Sequence, residues 1–333
     1  MIELSVVLIS KNQAWNISRL IESVLQATSS ILSKEVILVD SASTDETVEM
    51  ASRYPISIVR LQPGQRLSPA IGRYTGYKRT QGEFVLFLDG DTELVQGWLG
   101  PALSVMREIP RAGAVTGRVI NLLPSAAEER TAPPEKTHLD APREVLWGSY
   151  EGGGAALYKR SVLELVGTFN PYLTNDEEPE LGLRIRNAGY QILELDYPIV
   201  RHYNNYPPEA ISTVLSRRRR NFFLGSGQCL RYHSADGMLW PYIRERGRWS
   251  LVPALWLVAG VASLSRYLIA RDPTWFRLWV LVLVLLLTGA AFRKRSLRRA
   301  LVAAFNRLLM VEGLFRGLLM KPSPPESFHA NVE

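Results

Sequence analysis

Three short apolar runs, each closing on a polar side chain, constrain this chain most. They are Ser5–Ser10 (SVVLIS), Val36–Asp40 (VILVD) and Glu83–Asp89 (EFVLFLD). Each is rich in β-branched or aromatic residues and reads as a buried strand. Helical patterns fill the gaps. Ile17, Leu20, Ile21, Val24 and Leu25 recur at helical spacing, and Ser43–Asp45 offers capping groups for a helix over Glu46–Arg53. Ile56–Leu61 reads as a further strand and Pro69–Arg79 as a further helix. Strands alternating with helices predict a doubly wound, largely parallel α/β sheet. Ligands of such sheets sit at the carboxyl ends of the strands. Asp40 and Asp89 both fall there.

With 333 residues the chain is long enough for two units. Its net charge of +7 is unevenly spread. Residues 206–333 carry 19 Lys and Arg against 7 Asp and Glu, so the front is acidic and the back basic. The basic part also holds the long apolar runs, which fits anionic lipid before nucleic acid. No nucleic-acid partner is expected. The single cysteine, Cys229, excludes a disulfide framework or a Cys-based zinc site within the chain and fits a reducing compartment. No signal peptide is read at the start, where the strand-like MIELSVVLISKN begins at once. The front domain is therefore expected in the cytoplasm.

The strongest local signal is FLDGDTEL, Phe87–Leu94. A buried strand ends in two carboxylates, Asp89 and Asp91. Burying them is costly unless a cation compensates. Hard cations such as Mg²⁺ and Mn²⁺ take oxygen ligands and bridge phosphates. A metal there would stabilise a departing diphosphate. Two aspartates in an ordinary turn are common, so the preceding strand carries the weight of this reading.

Together with SVVLISKN and VDSASTDET, this motif resembles the family 2 glycosyltransferases of GT-A fold, inverting enzymes of the membrane-anchored bacterial type. The family's first strand ends in an Asn-containing turn, matched by Lys11-Asn12. Its Val-Asp followed by Ser-x-Asp-x-Thr is matched by Asp40, Ser43, Asp45 and Thr47. Its Arg-containing helix is matched by Gly72-Arg73 and Gly76. The resemblance implies a Rossmann-like mixed sheet and a nucleotide-sugar pocket lined by Ser10, Asn12, Asp40, Ser43, Arg73, Asp89 and Gly90. Asp40 would serve the base or ribose and Arg73 the pyrophosphate. The plainer readings are a helix cap for Asp45 and a surface ion pair for Arg73.

A second block, EGGGAALYKRSVLELVGTFNPYLTNDEEPELGLRIRNAGY (residues 151–190), resembles the family's acceptor side. Gly153 and Gly154 fall in its Gly-rich turn. The family's acidic pair maps onto Glu177-Glu178, on a helix predicted over Glu177–Ala188. An inverting transfer needs a carboxylate to take the acceptor hydroxyl's proton. Glu178 is the first candidate and Glu177 the second, although many relatives carry Asp there. The run is also a favourable acidic helix start. A strand over Gln191–Leu195 leads to His202. By resemblance His202 completes a metal shell with Asp89 and Asp91, whereas a lone His is more often structural. Arg219 and Arg220, in the run Arg217–Arg220, are expected on the acceptor side, near the donor diphosphate, or at a membrane surface.

Residues 250–270 and 274–292 are each about long enough to cross a bilayer. Arg244, Arg246 and Arg248 precede them; Arg293, Lys294, Arg295, Arg298 and Arg299 follow. The positive-inside rule puts both flanks in the cytoplasm of an inner-membrane protein. A re-entrant pair is the alternative, given Arg266, Arg271 and Arg277 near the turn. The expected divisions are a GT-A domain over 1–205, basic interfacial helices over 206–248 and a hairpin over 249–292. An amphipathic interfacial helix over 293–320 and a disordered, Pro-rich tail over 321–333 follow. Residues 124–147, rich in Pro and charge, are expected as a mobile loop.

The expected function is metal-assisted sugar transfer from a nucleotide-diphosphate sugar to a lipid-linked or other saccharide acceptor at the membrane. Alternatives are a processive polysaccharide synthase, a polyprenyl-phosphate sugar synthase, and a non-catalytic scaffold. A nucleotidyltransferase would open with a Gly-rich, basic loop, which SKNQAWN lacks.

Overall fold

The structure, a computed structural model, describes residues 2–122, 141–146, 154–203 and 210–333. It divides into two compact units. The first comprises residues 1–173, 177–205 and 323–333, and the second residues 174–176 and 206–322.

The first unit begins β1 (Leu4–Ser10), α1 (Ile17–Ala27), β2 (Lys34–Asp40), α2 (Thr47–Ala51), β3 (Ser57–Arg60), α3 (Pro69–Tyr77) and β4 (Phe84–Asp89). It continues β5 (Thr92–Leu94), α4 (Leu99–Glu108), β6 (Ala112–Leu122), β7 (Arg143–Glu144), β8 (Ala156–Lys159), α5 (Arg160–Val166), α6 (Glu177–Asn187) and β9 (Gln191–Tyr203). The strands form one mixed sheet in the order β3-β2-β1-β4-β8-β6-β9-β5, with β7 on β9. β1 lies between β2 and β4, parallel to both, and the register sets Ser10 opposite Asp40 and Ile9 opposite Asp89. The ends of three strands thus gather at one edge. All seven residues of β1 are buried, as its apolar run requires. One core lies between the sheet and α1 and α4, built on Leu8, Leu20, Leu86 and Trp98. The other lies on the opposite face, under α3 and α6.

Two expectations are corrected here. Within the segment expected as a loop, Arg143–Glu144 is a strand paired to Glu194 and Leu193. Residues 124–140 and 147 lie outside the described residues. The tail is also ordered rather than disordered. Val332 bridges Leu61, Asn331 accepts from the Gln62 N–H, and Phe328 packs edge-on to both Tyr74 and Tyr172. Aromatic burial and added strand pairing outweigh the Pro-rich composition.

The second unit is helical: α7 (Ile211–Arg219), α8 (Gly225–His233), α9 (Leu239–Tyr242), α10 (Arg248–Ala270), α11 (Thr274–Lys294) and α12 (Leu297–Leu318). Asp176 belongs to it, with its carboxylate accepting from Arg246, Tyr242 and Ser226. The span Leu239–Ala270, with mean hydropathy 1.5, and α11, with 2.1, are long and apolar enough to cross a membrane. Both are almost wholly unburied, and Trp256 stacks on Trp279 where they meet. α12 buries one face: Val302 and Leu309 join Val214 of α7.

Candidate active site

The site is built on the carboxyl ends of β1, β2 and β4. The two turns after β1 and β2 are tied to each other. Asn12, with φ of 54°, accepts from the Thr44 N–H at 2.8 Å, and its own N–H donates to Ser43 Oγ at 2.8 Å. Asp40 is fully buried and accepts from the Ser43 N–H at 2.8 Å and from the Ser43 hydroxyl. Ser10 Oγ donates to the same carboxylate at 3.4 Å. Asp45 accepts from the Ala14 and Thr47 N–H groups and from the Thr47 hydroxyl. Burial opposes this carboxylate's charge, but the three donors hold its pKa below the usual value.

Asn16 was not singled out in the sequence. It is 1% exposed, and its Nδ2 donates to the carbonyls of Gly90 and Thr92 at 3.0 and 2.8 Å. It therefore fixes the backbone on both sides of Asp91. Its place before α1 reads as an ordinary helix cap, so no local signal separates the two roles.

Arg73 is the centre of the site. α3 lies against β1 so closely that a Cβ on Gly76 would strike Val7. That approach carries Arg73 into the sheet's end, where it is 1% exposed. Its Nη1 donates to Glu177 Oε1 at 2.7 Å and its Nη2 to Asp89 Oδ1 at 2.7 Å. Nη2 also lies 3.0 Å from Glu178 Oε1. The guanidinium sits over the Phe169 ring, 5.4 Å from its centre. The guanidinium, expected near a pyrophosphate, is held here by three carboxylates. A buried cation goes to the nearest carboxylates, and three of them have claimed it. Tyr158, also unmarked by the sequence, is buried there, and burial together with the Glu178 charge keeps its phenol neutral well above the usual range.

Gly154 has φ of 59°, and a Cβ there would collide with Arg73 Nη2 and Asp89 Oδ2. The residue expected on the acceptor side is packed onto the Arg73–Asp89 pair. Gly153 lies outside the described residues. Arg219 and Arg220 belong to the helical unit, exposed at the end of α7.

The metal expectation divides. Strand pairing brings His202 to Thr92 on one side and to Asn121 on the other. His202 Nδ1 is 2.9 Å from Asn121 Oδ1, and Nε2 is 3.5 Å from Asp91 Oδ2. With Nδ1 held by Asn121, Nε2 and Asp91 are a suitable pair of ligands for a hard or borderline cation. Asp89 is turned to Arg73. Among the described residues no three acidic, His or Cys side chains converge as a closed metal cage. Burial, with the Asp91 charge adding to it, pushes Asp89 up to about 6 despite Arg73. Burial alone would lower His202, but its hydrogen bond and charge pairing with Asp91 raise it. Three carboxylates share the Arg73 guanidinium and Asp91 lies beside His202, and that excess of carboxylates suits a bound cation.

Residues 5–167 match the family model for Glycosyl transferase family 2. Those residues belong to glycosyl transferase family 2. Polypeptide N-acetylgalactosaminyltransferase 6 of Bos taurus is 40% identical over 111 residues, 31% of this chain. Polypeptide N-acetylgalactosaminyltransferase 3 of Drosophila melanogaster is 35% identical over 112. The matched stretches are 18% and 16% of those proteins, so the chain spans only a small part of these relatives. Among solved structures, the mannosyltransferase PcManGT from Pyrobaculum calidifontis in complex with GDP-Man and Mn²⁺ superposes with a TM-score of 0.60. It is 19% identical, with 95% of this chain and 87% of that chain covered. S. aureus TarS 1-349 in complex with UDP-GlcNAc gives 0.52 at 17% identity, covering 89% and 93%. These likenesses establish the fold, which is GT-A.

Proposed function

We propose that the chain is an inverting glycosyltransferase. It would move a sugar from a nucleotide-diphosphate sugar to a saccharide acceptor held at the cytoplasmic face of a membrane. The observation that carries the reading is the cluster of Asp89, Glu177 and Glu178 around buried Arg73 at the end of β4, in a family 2 domain. A divalent metal, Mn²⁺ or Mg²⁺, fits Asp91 and His202, and when bound it supplies charge to stabilise the leaving diphosphate. The solved neighbour holding GDP-Man and Mn²⁺ supports that choice.

The chain's own residues would do the rest. Asp40 and Ser43, in turns already tied together, offer fixed polar groups to the nucleoside. Glu178, 23% exposed on its side chain, is open enough to take the acceptor hydroxyl's proton. Glu177, 8% exposed, is more enclosed and serves to orient Arg73. Arg73, 3.0 Å from Glu178 Oε1, fixes the rotamer of Glu178. The apolar spans of the helical unit would keep the enzyme beside a lipid-linked acceptor.

The test is incubation of the full chain in membranes with Mn²⁺ and labelled UDP-, GDP- and dTDP-sugars, followed by NMR of the new glycosidic bond. Transfer with inverted anomeric configuration is expected. Transfer with retention would contradict the assignment of Glu178 as base, and no transfer from any donor would remove the catalytic reading.

A further inference from the structure

The helical unit holds a cavity of about 670 Å³, within the range of ligand pockets (~300–1,000 Å³). Leu230, Leu239, Ile243, Leu251 and Leu318 wall it, from α8, α9, the short π-helix Ile243–Gly247, α10 and α12. Two exposed cations, Arg231 and Lys321, line it as well, and no acidic side chain does among the described residues. Leu251 lies in the first turn of α10, in the apolar span Leu239–Ala270. Trp240 and Trp249 near this end are 70% and 45% exposed. Exposed indoles at the end of an apolar helix mark the level of lipid headgroups. The cavity therefore combines an apolar interior, a cationic lining and a place beside the bilayer surface.

That combination fits a hydrocarbon chain with an anionic phosphate head. We propose that the cavity holds one acyl chain of an anionic membrane phospholipid, its phosphate paired with Arg231 and Lys321. The site rests on α10 being in the membrane and uses no residue of the proposed active site. It stands or falls apart from the transferase reading.

The experiment uses the full chain in nanodiscs of phosphatidylcholine and phosphatidylglycerol in equal amounts, with retained lipid read by native mass spectrometry. One phosphatidylglycerol should be retained over phosphatidylcholine by roughly tenfold or more, as two cations at a surface support. The double variant Arg231→Ser/Lys321→Ser should lose the preference, and Ile243→Trp should lose the lipid with its melting temperature kept. Should Ile243→Trp fail to fold, wild-type chain is labelled with phosphatidylglycerol bearing an acyl-chain diazirine. Label on α8 and α10 is expected, and label only elsewhere would overturn the site. Equal retention of the two lipids overturns it too. So does displacement by equimolar polyprenyl pyrophosphate, which would reassign the cavity to a lipid-linked acceptor.

Discussion

Arg73 Nη2 lies 3.0 Å from Glu178 Oε1, on a guanidinium that also holds Asp89 and Glu177. The carboxylate proposed to accept the proton and the carboxylate closing the β4 strand thus share one buried cation. Positioning of the base and integrity of the donor side should fail together when that cation is changed.

Arg73→Lys keeps a charge but loses the planar fork that reaches three carboxylates. Lower melting temperature and lower kcat are both expected, measured by calorimetry and a transfer assay. Arg73→Met leaves the carboxylates uncompensated, and breaking a buried pair costs about 3–5 kcal/mol. That variant should accumulate poorly. An Arg73→Met protein as stable and active as wild type would show the cluster to be incidental.

Glu178→Gln and Glu177→Gln separate the two candidates for the base. Loss of a general base costs typically ~10²–10⁴ in rate. Glu178→Gln should lose that much in kcat while nucleotide binding is kept. Glu177→Gln should lose stability more than rate, because its neutral amide turns the charge-assisted 2.7 Å bond to Arg73 into a weaker neutral acceptor contact. The reverse pattern would move the base to Glu177.

The Asp89 carboxyl titrates up to about 6 in the folded chain, above its ordinary 3.8, because burial and Asp91 outweigh Arg73. Between these values the unfolded chain has released the proton that the folded chain still holds, so stability falls as pH rises through that window and is level above it. In metal-free protein, Asp89→Asn should remove this part of the slope. Its melting temperature relative to wild type should therefore rise with pH across the window. A difference that stays constant with pH would contradict the assignment.

Gly154→Ala places a methyl against Arg73 and Asp89 on a backbone with φ of 59°. Left-handed strain alone costs about 1–2 kcal/mol, and the collision adds to it. Activity and melting temperature should both fall, the latter by a few degrees. Wild-type kcat in this variant would mean that the Arg73–Asp89 contact is not needed in turnover.

Much of the fold was legible because the period of the sequence matched the element. β1, β2 and β4 read as buried runs, and α1 as a stripe from Ile17 to Leu25. The β6–β9 pairing did not, since a parallel partner far along the chain leaves no local mark. The site was legible as residue types and order. Its wiring was not, because a lone Arg is read as exposed by default, and Arg73 meets Glu177 across 104 residues of chain. Asn16 was hidden for the same reason, its partners lying 74 and 76 residues away. The tail misled through composition. Pro and Ser predict disorder, but the pocket for Phe328 is made by Tyr74 and Tyr172, which no reading of residues 321–333 contains.

The most direct test of the donor site is calorimetric titration with UDP, GDP and dTDP, with Mn²⁺ and with chelator, on wild type and Asp91→Ala. One nucleotide should bind, and only when both Mn²⁺ and Asp91 are present. Binding of that nucleotide unchanged by chelator or by Asp91→Ala would contradict the metal site. No binding of any nucleotide would contradict the transferase itself.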